Sequence, residues 1–338
     1  MRFAKLSAGT SCLLLFAALN TLPTASASPR RLGPATSTPA AAIIVPTYIT
    51  AGPDGALWFT ALGNSSDHGS IGRITTKGKV TLYGGDGIDG PAGITVGPDG
   101  ALWFTNSAGN SIGRITTTGK ITRYSVPGVI NPIGITEGPD GELWFTDSYS
   151  PGSFGLITTG GRITLHTSSY INDPIGITTG PDGDVWVTNA GTKTNKGSIG
   201  RLTTNGKIEV YTYAGLDEPA GITVGPDKAI WFTNYAGNSI GRITTGGTGR
   251  LFTGTGIDEP DSITPGPDGA LWFTNYKGNS IGRITTAGKV TNYAGKGIDG
   301  PVGITLGPDG ALWFANSASD SIGRITTEGK VTDYTGTT

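Results

Sequence analysis

The chain has 338 residues, of which 57 are Gly and 21 are Pro, so nearly one residue in four is a turn former. Its 24 Lys plus Arg against 25 Asp plus Glu leave no field that would hold nucleic acid or an anionic membrane surface. One Cys and two His exclude a zinc cluster and a disulfide framework, and offer few candidates for a general base.

At the N-terminus, Arg2 and Lys5 precede the apolar run Leu13 to Ala18, and Ala25-Ser26-Ala27 forms a small-x-small cleavage pattern. Residues 1–27 therefore read as a secretory signal peptide. The run is too short to stay as a membrane anchor, and no second apolar stretch of about 18 residues follows, so a secreted protein is expected. Cleavage removes Met1 and Cys12 and leaves a chain without sulfur. Residues 28–41, SPRRLGPATSTPAA, lack apolar periodicity and read as a flexible linker.

From residue 42 onward the glycines repeat. Tryptophan recurs at Trp58, Trp103, Trp144, Trp186, Trp231, Trp272 and Trp313, at spacings of 41 to 45 residues. Each is preceded by Gly-Pro-Asp and followed by Ile-Gly-Arg or a close variant, and all length variation falls between the Trp and the Arg. In residues 91–124, turn signals separate four apolar runs, predicting strand a over 93–96, b over 101–105, c over 111–116 and d over 120–124. Strand b (Ala-Leu-Trp-Phe) is apolar at consecutive positions, so both its faces must be covered, whereas strand d alternates. Such a unit cannot bury itself. Seven of them closed in a ring predict an all-β fold, a seven-bladed β-propeller of four-stranded antiparallel blades over 42–338. An open solenoid would call for atypical capping repeats, and none is present.

A residue found in every blade is explained by what all blades share, so the Trp ring is assigned to the core. The arginines Arg73, Arg114, Arg201, Arg242, Arg283 and Arg324 admit two readings, a cationic ring for an anion or pairs with the Gly-Pro-Asp carboxylates. His166 occupies a strand d slot held elsewhere by Tyr or Phe and reads as an aromatic substitute, while His68 lies in a loop, solvated or a ligand. Strand alternation puts the b–c loops and d–a connections on one face, where function is expected. Two groups gather there. One closes strand b: Asn106, Asp147, Asn189, Asn234, Asn275 and Asn316, joined by Tyr235 and Tyr276. The other precedes the d–a proline: Asp89, Asp173, Asp217, Glu218, Asp258, Glu259 and Asp299, with Asp261 just after it. Turn capping explains part of this second group. Asn234, Tyr235, Asn275, Tyr276, Asp261 and Asn316 are the ligand-binding candidates. Asp217, Glu218, Asp258 and Glu259 are candidate oxygen ligands for Mg²⁺ or Ca²⁺.

The string Pro-x-Gly-Ile-Thr-x-Gly-Pro-Asp-Gly-x-Leu-Trp-Phe-Thr, followed by Gly-Asn-x-Ile-Gly-Arg-Ile-Thr, resembles the virginiamycin B lyase (streptogramin lyase) family over all seven repeats. The resemblance implies a seven-bladed propeller in which a magnesium ion and a His base open a cyclic depsipeptide by elimination at its ester linkage. In that family Glu-Pro-His-Gly starts the last blade, a second Glu follows its Trp-Phe, and another His follows the proline of the blade before. Here the last blade reads Gly300-Pro301-Val302-Gly303, so the Glu slot holds Gly300 and the base slot Val302. The second Glu falls near Asn316-Ser317 and the other His on Asp261, while Glu218-Pro219-Ala220-Gly221 keeps Glu-Pro two blades earlier. The last blade also carries its own strand d, residues 330–334, where the family borrows one from the N-terminus. Three functions follow as expectations. The first is a monomeric, secreted module binding a small molecule, glycan or peptide without a catalytic residue. The second is a metal-dependent C–O lyase with a relocated site, and the third an extracellular protein–protein platform.

Overall fold

The computed structural model describes residues 37–38, 42–64, 68–125, 127–148, 152–191, 197–203 and 206–336. The expected signal peptide lies outside these residues. Seven antiparallel sheets, each with its strands in the order a, b, c, d, form the predicted seven-bladed β-propeller. Blades 1 to 7 span residues 46–83, 91–124, 132–167, 174–211, 219–252, 260–294 and 301–334. In blade 2 the strands are Pro91–Val96, Leu102–Asn106, Ser111–Ile115 and Ile121–Tyr124, within two residues of the predicted bounds.

The core lies between blades. Because side chains alternate across a strand, Leu102 and Phe104 face blade 1, packing with Trp58, Ile71 and Tyr83, while Trp103 faces blade 3 and packs with Leu143 and Phe145. Each Trp also stacks on the aromatic residue of its own strand d, as Trp103 does on Tyr124 at 5.4 Å between ring centres. His166 fills that slot in blade 3, stacked on Trp144 at 6.2 Å, which is the aromatic role expected of it.

The arginines are clamps. Trp103 Nε1 donates to Asp99 Oδ1 at 2.9 Å, and Arg114 Nε donates to Asp99 Oδ2 at 2.6 Å. Burial pushes the Asp99 carboxyl up, but the bonds from Trp103 and Arg114 outweigh it and hold the group below the ordinary carboxylate range. Blades 1, 5, 6 and 7 repeat this geometry, and Arg201 of blade 4 pairs with Asp182 and Asp184. Blade 3 has Leu156 in the Arg slot, and there Trp144 Nε1 is buried without a hydrogen-bond partner.

The ring closes by packing. Trp313 and Ile322 of blade 7 join Ile49, Leu57, Phe59 and Ile74 of blade 1 in one core. A Cβ on Gly303 would lie 2.4 Å from the Thr47 carbonyl, the same approach that Gly93 makes to Ile133 two blades on from the seam, so a side chain at either glycine would push the neighbouring blade away. Asp320 Oδ1 accepts from Val45 N at 2.7 Å across the seam. Blade 7 uses its own strand d, Val331–Tyr334. Ser37–Thr38 pair instead with the outer strand of blade 1, Ser37 opposite Tyr83, so this part of the expected linker belongs to the propeller.

Candidate functional site

Every strand a begins at a proline, and the residue before it is left-handed in all seven blades. The φ values are 50° for Val45, 58° for Gly90, 59° for Asn131, 52° for Asp173, 50° for Glu218, 48° for Glu259 and 55° for Gly300. The turn carries the chain from the outer edge of one blade to the inner edge of the next. Its amide is held by the preceding blade, as in Asn131 N to Asn110 Oδ1 at 2.9 Å and Glu259 N to Asn238 Oδ1 at 2.6 Å. The conformation is therefore scaffold, and a non-glycine residue there costs roughly 1–2 kcal/mol. What distinguishes the blades is the side chain it presents. Blades 4, 5 and 6 present Asp173, Glu218 and Glu259 in succession, while blades 7, 1 and 2 present Gly300, Val45 and Gly90.

These carboxylates sense one another. Burial, then Glu218, pushes Asp173 up to about 6, and burial, Asp217 and Glu259 together raise Glu218. Glu259 is braced: Tyr235 Oη donates to its Oε2 at 2.8 Å and Lys277 Nζ lies 3.3 Å from its Oε1. Asp261, one residue past the blade 6 proline, is 7% exposed, and burial raises its carboxyl to about 7. The structure thus gathers Asp173, Asp217, Glu218 and Glu259 on one arc of the b–c and d–a face, with Asp258 half-buried beside Glu259.

The asparagines are a correction to the sequence reading. Asn234, Asn275 and Asn316 have no exposed surface. Asn234 Nδ2 donates to the Gly215 carbonyl at 2.8 Å and to Ser239 Oγ at 2.8 Å, while its Oδ1 accepts from Asp217 N at 2.7 Å. Asn275 and Asn316 make the same bonds, to Gly256 and Gly297. Their amides tie strand b to the connection above it and do not face a ligand. Tyr235 is likewise buried and positions Glu259, whereas Tyr276, its counterpart in blade 6, is half-buried at the rim. The left-handed slot went unread in the sequence, although an invariant proline preceded by residues as different as Val, Gly and Glu was its signal.

Asp217, Glu218, Asp258 and Glu259 are the candidate ion ligands of the sequence reading. Among the described residues no three His, Cys, Asp or Glu side chains converge to hold an ion. Both oxygens of Glu259 already have partners.

The seven blades share one strand order and one left-handed turn, and the model of the virginiamycin B lyase family matches residues 33–215 and 213–338. The chain belongs to the virginiamycin B lyase family. Among solved structures, virginiamycin B lyase from Staphylococcus aureus, selenomethionine-substituted, is 36% identical, covers 82% of this chain and 94% of its own, and has a TM-score of 0.73. A catalytically inactive His-to-Ala variant of that lyase with quinupristin is 35% identical, with 88% and 97% covered and a TM-score of 0.74. A streptogramin B lyase is 34% identical, with 81% and 91% covered and a TM-score of 0.73. No curated protein matches the chain. Within the family frame, the Glu and base slots of blade 7 are Gly300, whose neighbour Ala318 would meet a Cβ at 2.8 Å, and Val302, which is buried.

Proposed function

We propose that this member of the virginiamycin B lyase family is an exported ligand-binding propeller that uses the acidic arc of blades 4 to 6 to take a peptide bearing basic groups. One observation carries the reading. A left-handed position common to all seven blades is acidic only in three consecutive ones, and two of those carboxyls are raised by burial and mutual repulsion. A bound cation relieves that repulsion. The apolar and glycine slots of blades 7, 1 and 2 offer no such charge, and Gly300 and Val302 supply neither the carboxylate nor the imidazole that the lyase resemblance requires. The test is calorimetric titration with trilysine. Binding that weakens with salt and falls at least tenfold in an Asp173→Asn/Glu218→Gln variant supports the reading; no heat at millimolar peptide, or equal binding by the variant, overturns it.

Asp261 favours a second reading. A carboxyl near 7 is about half ionised at neutral pH and is matched to general-base work. It stands where the resemblance places a family His, so a lyase with a relocated base is the alternative. Ring opening of a streptogramin B that Asp261→Asn abolishes would establish it.

A further inference from the structure

Blade 1 departs from its sisters on the same face, on the far side of the ring from the acidic arc. In blade 2, Asn106 Nδ2 donates to the Gly87 carbonyl at 2.9 Å and to Ser111 Oγ at 3.1 Å, filling the space above strand b. Blade 1 has Ala61 in that position, and the chain enters it along residues 42–45 instead of arriving from an outer strand. A cavity of about 540 Å³ lies on this face, bounded by Ala42 and Ile44 of the entering segment, by Gly63, His68, Gly69 and Ser70 of blade 1, and by the connection to blade 2. That is within the range of roughly 300–1,000 Å³ typical of small-molecule sites.

Its polar groups are incompletely satisfied. Ser70, the counterpart of Ser111, lacks the amide that its sisters bond, and its hydroxyl has no hydrogen-bond partner among the described residues. Arg123 lines the cavity, held by Nε to Ser111 Oγ at 3.0 Å and Nη2 to the Gly109 carbonyl at 2.6 Å, with no acidic partner among the described residues. The corresponding slot is Leu82, Leu165 or Leu251 in blades 1, 3 and 5, so the cation belongs to this junction. Asp86 lines the cavity at its exposed edge, without a basic partner among the described residues. His68 Nδ1 lies 3.0 Å from Asp89 Oδ1, which fixes the ring and leaves Nε2 for another group.

We propose that this cavity binds a small zwitterion, a free amino acid or short peptide with an apolar side chain. Its carboxylate sits on Arg123, its ammonium on Asp86, and its side chain lies against Leu82 and Ile88. The charges select for both groups at once. Arg123 alone would favour an anion, but Asp86 and Asp89, which line the same cavity, oppose a ligand with net negative charge. The guanidinium fork suits a carboxylate, and its bonds to Ser111 and Gly109 pre-organise it.

The probe is leucyl-leucine, titrated calorimetrically into the full mature chain beside its methyl ester and its N-acetyl derivative. The dipeptide is expected to bind, with at least tenfold loss in each blocked form and in Arg123→Gln. Asp86→Asn, at an exposed position outside the core, should lose at least tenfold with unchanged melting, which separates recognition from folding. The Asp173→Asn/Glu218→Gln variant should bind the dipeptide as the parent does. No heat with leucyl-leucine at millimolar concentration, or equal binding of the blocked forms, overturns the proposal.

Discussion

Asp147 is the blade 3 counterpart of the tie asparagines, and replacing it should change the pH response of the whole ring. In blades 2, 5, 6 and 7 the Asn oxygen accepts a backbone N–H while its NH₂ donates to a glycine carbonyl two residues earlier, as Asn106 does with Asp89 and Gly87. Asp147 keeps the first bond, accepting from Ile130 N at 2.9 Å, and accepts from Ser153 Oγ at 3.1 Å where the asparagines donate to the corresponding serine. It can donate toward Gly128 only when protonated. The side chain is 2% exposed, and burial drives its carboxyl to about 7 against the lowering effect of both bonds. A raised folded-state value means that the folded chain holds the proton more tightly, so this stability is full below 3.8 and is lost as pH rises to about 7. At about 1.36 kcal/mol per pH unit the whole span is about 4 kcal/mol, of which about 2–3 kcal/mol lies between pH 5 and pH 8.5. Asp147→Asn supplies the donor at every pH. Chemical denaturation of parent and variant at those two pH values should show the variant's advantage growing by that amount. Parallel pH dependence of the two proteins would refute the reasoning.

Three further outcomes are expected. Leu156→Arg should bring Asp140 onto the orphaned Trp144 Nε1 and raise stability by about 1 kcal/mol, the net worth of a typical hydrogen bond; unchanged or lower denaturation midpoints count against the clamp. Asp320→Ala removes the side-chain acceptor of the Val45 amide at the seam and should cost about 0.5–1.5 kcal/mol. Hydrogen exchange should then quicken in residues 46–51, while Asp320→Asn, the residue that blades 2, 5 and 6 use, behaves as the parent. Trilysine affinity should fall as pH drops through about 6, where Asp173 takes up its proton; a flat profile from pH 5 to 8 would remove Asp173 from the site.

The blade pattern was legible because it is written seven times: alternation on strand b, the Gly-Pro-Asp turn and the Trp spacing each have one physical meaning. The arginine–aspartate pairs and the aromatic role of His166 are legible in the sequence because comparison between repeats shows them. The same comparison, applied to Asn234, Asn275 and Asn316, marks them as scaffold, since a residue closing strand b in five of seven blades serves what the blades share. Their position at the end of a strand on the functional face obscured this, because sequence gives the face and not the depth. The left-handed slot was hidden for a different reason. Residues before proline ordinarily favour extended backbone, and only tertiary contacts, such as Asn238 on the Glu259 amide, impose the other conformation. The blade 1 cavity joins the entering segment at Ala42 and Ile44 with Arg123 from the next blade, which a reading along the chain does not bring together.

The central claim, a lyase-family scaffold that binds without the family's chemistry, is tested most directly by incubating the mature chain with a streptogramin B and Mg²⁺. Elimination opens the ring to an isomer of equal mass, so the readout is chromatographic separation followed by fragment mass spectrometry. The account predicts that the ring remains closed after prolonged incubation. A linear product formed by the parent chain and lost in Asp261→Asn would contradict it.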